Sequence, residues 1–307
     1  MKTRKVFMMM TVFSLVMFMF SCANKIEDEE MINGDPVPVR FSSKITGLAV
    51  PEGLLQSKAY INEWKTGDVI GISMVEHGDE YFAGTAFNKK YVMGADGFFA
   101  AEEGDELFYP GNGNFVDFVA YYPYNDGIGY EVPLEIFSQT DYLWAGTFKT
   151  VPAGYNKNNT GLVNLQFNHK LAKLIIETEA GEGVDAADDD FKNMDVAITE
   201  METYSGLYLL TGVLNNYGQK NSIPFETITG GKRYETFIIP GSIEDGTAQI
   251  TFVVGETRFI CTLDAAVFVE GYEYTYKVTL SKYPTVMTGT VNGWTKGNDK
   301  TLNAETE

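Results

Sequence analysis

The chain has 307 residues and a formal net charge of −19 at pH 7, with 42 acidic against 23 basic residues. That balance repels polyanions and excludes nucleic acid as a partner. Hydrophobic residues at 44% suffice for real cores, and 18 Tyr, 21 Phe and 31 Gly favour strands and tight turns over helices.

Residues 1–21 read as a signal peptide rather than as part of the fold. Lys2, Arg4 and Lys5 precede an apolar run from Val6 to Phe20 that is too short to span a bilayer as a helix. The run stops at Ser21-Cys22, and a small residue directly before Cys is how lipoprotein signals end. The thiol of Cys22 is therefore the expected lipid attachment site, although Phe20 stands where such signals carry a small residue. Acylation leaves Cys261 as the remaining cysteine and excludes an intramolecular disulfide. Residues 22–35, with the acidic run Glu27 to Glu30, read as a solvated tether. The remaining length suggests two domains, 36–157 and 158–307.

The first strand comes next. Val37, Val39, Phe41 and Ile45 fall on one face, and Pro38, Arg40, Ser42 and Lys44 on the other. This is the period-two pattern of a half-buried strand, and Pro38, which has no N–H to donate, places it at a sheet edge. The following loop ends in Gln56-Ser57-Lys58-Ala59, a basic residue before a small one. Two readings stand side by side: an ordinary first strand with a loop lysine, or a strand removable by cleavage after Lys58. Removal would bare an apolar groove and a row of unpaired backbone groups for another chain's strand.

Further strands are expected at Val69 to Val75, Tyr91 to Met93, Phe98 to Ala101, Leu107 to Tyr109, Val116 to Tyr124, Ile128 to Phe137 and Asp141 to Ala145. Short strands at this spacing, with turn residues between them, describe an all-β sandwich. The Gly/Asn-rich segment 153–161 reads as the linker between domains. The second half offers Leu162 to His169, Leu174 to Thr178, Val196 to Met201, Leu207 to Leu214, Arg233 to Ile239 and Tyr272 to Leu280, then a polar tail. Gln249 to Leu263 forms the clearest hairpin, because Gly255-Glu256 fits a two-residue type II′ turn. That register pairs Val254 with Thr257, Phe252 with Phe259 and Ile250 with Cys261, which makes Cys261 a buried packing residue.

Motifs of catalysis are missing. The two histidines, His77 and His169, sit in a turn and at a strand end, and no Gly-x-Ser-x-Gly or His-Glu-x-x-His pattern occurs. Two His and one free Cys make a poor zinc set, and Asp188-Asp189-Asp190 lacks the spaced ligands of a calcium loop. The expectation is a protein with no catalytic residues, no metal and no cofactor.

Several segments, in order along the chain, resemble the fimbrillin-like family, the subunits of type V pili. They are the signal ending at Cys22, Val39-Arg40-Phe41-Ser42, Trp64-x-x-Gly67-Asp68-x-Ile70-Gly71, Val116-Asp117-Phe118-x-Ala120-Tyr121-Tyr122-Pro123-Tyr124, Phe167-x-His169-x-Leu171-Ala172-Lys173-Leu174, and Gly271-x-x-Tyr274-x-Tyr276. The resemblance implies two tandem transthyretin-like β-sandwiches and export as an outer-membrane lipoprotein held through lipid on Cys22. It also implies cleavage between Lys58 and Ala59, then assembly with other pilin subunits by β-strand addition in support of adhesion to a host or bacterial surface receptor. The family's cleavage site usually carries Arg; with Lys58 in its place an uncut chain would resemble a pilus anchor. The tail, whose faces hold Val286, Thr288, Thr290, Asn292 and Trp294 or Met287, Gly289, Val291 and Gly293, is less apolar than a good donor strand, as in a tip subunit. The alternative is a surface lipoprotein that binds glycans on aromatic platforms at Trp144 and the Tyr121/Tyr122 pair. Exposure of those rings would favour the glycan reading, and burial between sheets the pilin.

Overall fold

The computed structural model describes residues 35–46, 63–79, 81–83, 85–149, 154–159 and 161–282, and the backbone of 285–290 and 299–306. Cys22, Lys58 and Ala59 lie outside the described residues, as does most of the tether. The chain forms β1 (Phe41–Thr46), β2 (Val69–Glu76), β3 (Lys89–Met93), β4 (Phe99–Ala101), β5 (Val116–Tyr122), β6 (Glu131–Glu135), β7 (Leu143–Gly146) and β8 (Val163–His169). There follow β9 (Ala172–Ala180), the one-turn helix α1 (Asp189–Lys192), β10 (Asp195–Glu202), β11 (Tyr204–Tyr208), β12 (Val213–Asn216), β13 (Lys220–Pro224), β14 (Glu226–Thr229) and β15 (Arg233–Ile238). The last are β16 (Gly241–Ile243), β17 (Gln249–Val254), β18 (Thr257–Thr262), β19 (Ala266–Phe268), β20 (Glu273–Leu280), β21 (Thr285–Thr290) and β22 (Asp299–Thr306). The fold is all-β, as the composition demands.

Two large sheets dominate. The first has seven strands in the order β1-β8-β7-β5-β2-β3-β4, and the second ten, β13-β10-β17-β18-β22-β21-β20-β9-β15-β14. A three-stranded sheet, β12-β11-β6, joins a strand of the first half to two of the second. Residues 36–307 form one compact unit. Its apolar side chains gather in two clusters, one under the first sheet and one running from that sheet's opposite face into the second sheet. Strand β5 feeds both: Val116, Phe118 and Ala120 point into the first cluster, Val119 and Tyr121 into the second. Burial on both faces is why its sequence reads as a continuous apolar run rather than an alternation.

Two elements differ from their sequence expectation. Strand β8, assigned by the linker reading to the second half, pairs in parallel with β1 and antiparallel with β7. Within the linker segment Tyr155 bridges Val116 of β5, so the described residues 154–159 lie against the first sheet, and the chain changes sheet between His169 and Ala172. Alternation in β8 shows that one face is buried; it does not say against which sheet. The run Leu207 to Leu214 is not one strand but the hairpin β11–β12, with Gly212 at φ +71° in its turn. A Cβ on Gly212 would lie 2.5 Å from the Trp144 ring, so glycine is required there by space as well as by conformation. The β17–β18 hairpin has the expected register, Val254 opposite Thr257, Phe252 opposite Phe259 and Ile250 opposite Cys261, and Cys261 is fully buried.

Candidate functional site: the groove under the first strand

Strand β1 is the edge of the seven-stranded sheet, and the segment 37–46 is held at two places. On one side it runs parallel to β8, Phe41 opposite Val163 through Thr46 opposite Asn168, with Val163 N donating to Arg40 O at 2.8 Å. On the other, the residues just before it meet Leu107–Tyr109. Val39 N donates to Leu107 O at 2.8 Å, Tyr109 N donates to Val37 O at 3.0 Å, and Pro38 faces Phe108 in an antiparallel bridge. Proline is tolerated because both bonds use its neighbours.

The inward face of this strand fills the first core. Val39, Phe41 and Ile45 are buried and Val37 packs partly against them, while Arg40 and Lys44 are exposed. Phe41, 2% exposed, sits edge-on to Tyr91 at 5.3 Å and to Phe118 at 5.2 Å between ring centroids. Tyr91 also ties the pocket to the neighbouring strap, since its hydroxyl accepts Leu107 N–H at 3.1 Å. Burial pushes the Tyr91 hydroxyl up to about 12, so it stays a neutral hydrogen-bonding group. Trp64 closes the end of this core, edge-on to Phe167 at 5.0 Å, Phe99 at 5.1 Å and Tyr122 at 5.7 Å.

The sequence placed Val37, Val39, Phe41 and Ile45 on one face, and there they are. It also marked Leu107 to Tyr109 as a strand; that this segment bonds to the first strand carried no local signal, because the partners are about seventy residues apart. The aromatic platforms are corrected: Tyr121 and Trp144 are buried, 2% and 4% exposed, and Tyr122 packs on Trp64. Trp144 Nε1 donates to Leu209 O at 2.7 Å, which points the indole inward to the second half. The Tyr121 ring occupies the space a Cβ on Gly71 would need, and its hydroxyl lies 2.8 Å from Asn88 Oδ1. Tyr121 and Trp144 lie in the second cluster and Tyr122 packs against the first, so cover on both faces of the sheet takes these rings off the surface.

Both histidines are held by carboxylates. His77 Nδ1 lies 2.7 Å from Asp117 Oδ2, and His169 Nδ1 lies 2.9 Å from Asp141 Oδ2. Thr147 Oγ1 donates to Asp117 Oδ1 at 3.1 Å while accepting Phe118 N–H at 2.9 Å. Asp117 is thereby a hub that fastens a turn and a strand end to β5. In the acidic loop, Asp188 caps α1 by accepting Asp190 N–H at 3.0 Å. Among the described residues no group of three or more His, Cys, Asp or Glu is placed to hold a metal ion. Several conspicuous sequence segments have structural reasons. Gly67 takes φ +95° in a turn where Asp68 Oδ2 accepts Lys65 N–H at 2.7 Å, and Tyr274 OH accepts Val269 N–H at 2.8 Å.

The chain is an all-β protein whose first strand lies at a sheet edge and buries alternate side chains in the first core. The chain belongs to the fimbrillin-like family, whose profile matches residues 57–294. It is 30% identical over 290 residues to a candidate fimbrium subunit, Fim1C, of Bacteroides uniformis, covering 89% of this chain and 93% of that protein. Among solved structures it is similar to a candidate cell adhesion protein from Bacteroides uniformis, at 26% identity and a TM-score of 0.62 over 84% of this chain and 99% of that one. A candidate cell adhesion protein from Bacteroides ovatus has the same fold, at 18% identity and a TM-score of 0.61 over 87% and 98% of the two chains.

Proposed function

We propose that this chain is a structural subunit of a surface fimbria that supports adhesion. It is exported as a lipoprotein on Cys22, shortened between Lys58 and Ala59, and completed by a strand from another subunit in place of β1. The family supports the fimbrial role, and the pair of tandem sandwiches is what the family resemblance implies. The observation that carries strand replacement is the position of β1: an edge strand paired only with β8, led in by Val37 and Val39 bonded to Leu107–Tyr109, and filling a pocket with alternate side chains. The family profile begins at residue 57, so β1 stands outside the matched span although it completes the core. Burial of Tyr121 and Trp144 weighs against the glycan-platform alternative. Intact mass of protein sheared from the cell surface tests the reading. A new N-terminus at Ala59 is expected in fibre-bound material, and lipid on Cys22 in the precursor. Fibre material that begins upstream of β1 overturns the processing step.

A further inference from the structure

We infer that the outer face of the three-stranded sheet β12-β11-β6 is a binding site for an uncharged saccharide. The inference rests on the adhesive role proposed above and names the chemistry of what is bound, on a surface apart from the first strand and from the buried Tyr121 and Trp144. Val132, Leu134 and Leu207 point into the second cluster. By alternation Glu131, Pro133 and Glu135 of β6, with Tyr204 and Gly206 of β11, look outward. Asn215 of β12 stands opposite Gly206, and Tyr217 follows it beside Tyr204. Tyr217 is 48% exposed, its ring 5.5 Å from that of Tyr204 with 37° between the planes. Its hydroxyl donates to Glu131 Oε2 at 2.6 Å, and Asn215 Nδ2 donates to Oε1 of the same carboxylate. One carboxylate on β6 thus fixes a ring and an amide that come from the far side of β11. They meet over Gly206, where a Cβ would lie 2.6 Å from the Tyr217 hydroxyl and 2.7 Å from Glu131 Oε2. Gly206 is not among the glycines with positive φ, so glycine serves the space above it rather than the backbone.

A ring that reaches from the edge of the sheet to a hydroxyl seated over the middle strand lies along the sheet and leaves one side to solvent. A sugar has the matching form, an apolar side of C–H groups and a rim of hydroxyls. The C–H side stacks on Tyr217. The hydroxyls meet the lone pairs that remain on Glu131, and the Oδ1 and second N–H of Asn215. Both side chains are already fixed by their mutual bonds, so little further ordering opposes binding. Charge narrows the choice of sugar. Glu131 and Glu135 are acidic and none of the outward positions is basic, so a sialylated or sulfated sugar is repelled. A lone cation is the competing occupant, and aromatic cages take such ligands by walling them with ring faces. Rings 37° apart make a floor rather than a cage, and Glu131 already accepts two hydrogen bonds. The face therefore suits a flat, uncharged polyol.

The test titrates lactose, maltose and methyl α-mannoside into the full chain and reads binding by saturation-transfer NMR. At least one is expected to bind with a Kd of about 1 mM or below. Tyr217→Ala removes the ring, and Gly206→Ala drives a methyl group against the Tyr217 hydroxyl and Glu131 without touching the core. Each should weaken that binding at least about tenfold, while an unchanged melting midpoint shows that the chain is folded. 3′-Sialyllactose should bind more weakly than lactose. Absence of binding by all three neutral sugars at about 10 mM overturns the inference, as does unchanged affinity in Tyr217→Ala. Tighter binding of 3′-sialyllactose than of lactose overturns the charge argument and the uncharged ligand with it. Binding of arginine amide in place of the sugars would make the face a cation site and overturn the inference too. The fimbrial role is read separately, from the N-terminus of fibre-bound material, and stands or falls without this result.

Discussion

At the scale of single residues, Cys261 shows how much a local pattern can fix. A two-residue turn at Gly255-Glu256 sets the register, the register sets the face, and the face buries the thiol. Burial, with the nearby Asp264 charge, pushes the Cys261 thiol up to about 12. Below that pH the native protein should resist thiol reagents and react only at the rate of unfolding; rapid labelling at pH 8 would contradict the register. Phe41→Ala should cost about 3–5 kcal/mol of stability, the range for buried aromatics truncated in cores, measured by chemical denaturation of the uncleaved chain. Gly212→Ala should cost about 1–3 kcal/mol, because the new Cβ meets both a left-handed backbone and the Trp144 ring. Trp144 itself was not legible: alternation gives its side of the strand, and only the second half of the chain, through Leu209, gives its cover.

Among the elements, β1 was readable because its signals are all local: alternation, an edge proline and a following basic site. The partners of β1 were not, since β8 and Leu107–Tyr109 reach it from distant sequence. The same limit misplaced β8 behind a Gly/Asn-rich loop that does not separate sheets. The loss of β1 can be weighed. Val39, Phe41 and Ile45 are buried, and each such side chain contributes about 1.5–3 kcal/mol, an appreciable part of the about 5–15 kcal/mol that holds a domain together. A chain cleaved after Lys58 and stripped of β1 should therefore melt well below the intact chain. Added 36–46 peptide should restore the midpoint in a concentration-dependent way. A stripped chain that melts unchanged would make β1 ornamental.

For the molecule as a whole, charge governs encounter. Seven basic and six acidic residues precede Ala59, so a chain cut there would carry −20, whereas residues 36–46 hold Arg40 and Lys44 and no acid. Uptake of that basic strand by the acidic body should be fastest at low salt. It should slow as ionic strength rises to 0.15 M, where the screening length is about 8 Å. Stopped-flow fluorescence checks the sign; uptake that quickens with salt would mean that the groove lies away from the acidic surface.

The three-stranded sheet β12-β11-β6 has a mechanical corollary. Strand β6 of the first half is laddered to β11 of the second over five register pairs, Glu135 opposite Tyr204 through Glu131 opposite Tyr208. Trp144 Nε1 on Leu209 O and the cluster of side chains shared by both halves lie alongside. Among the described residues these contacts bind the two halves into one compact unit. A load entering at the first groove and leaving at the last strand must break that ladder before the halves can part. Stretched in a force spectrometer, the chain from Pro36 onward should yield in one event rather than as two beads on a string.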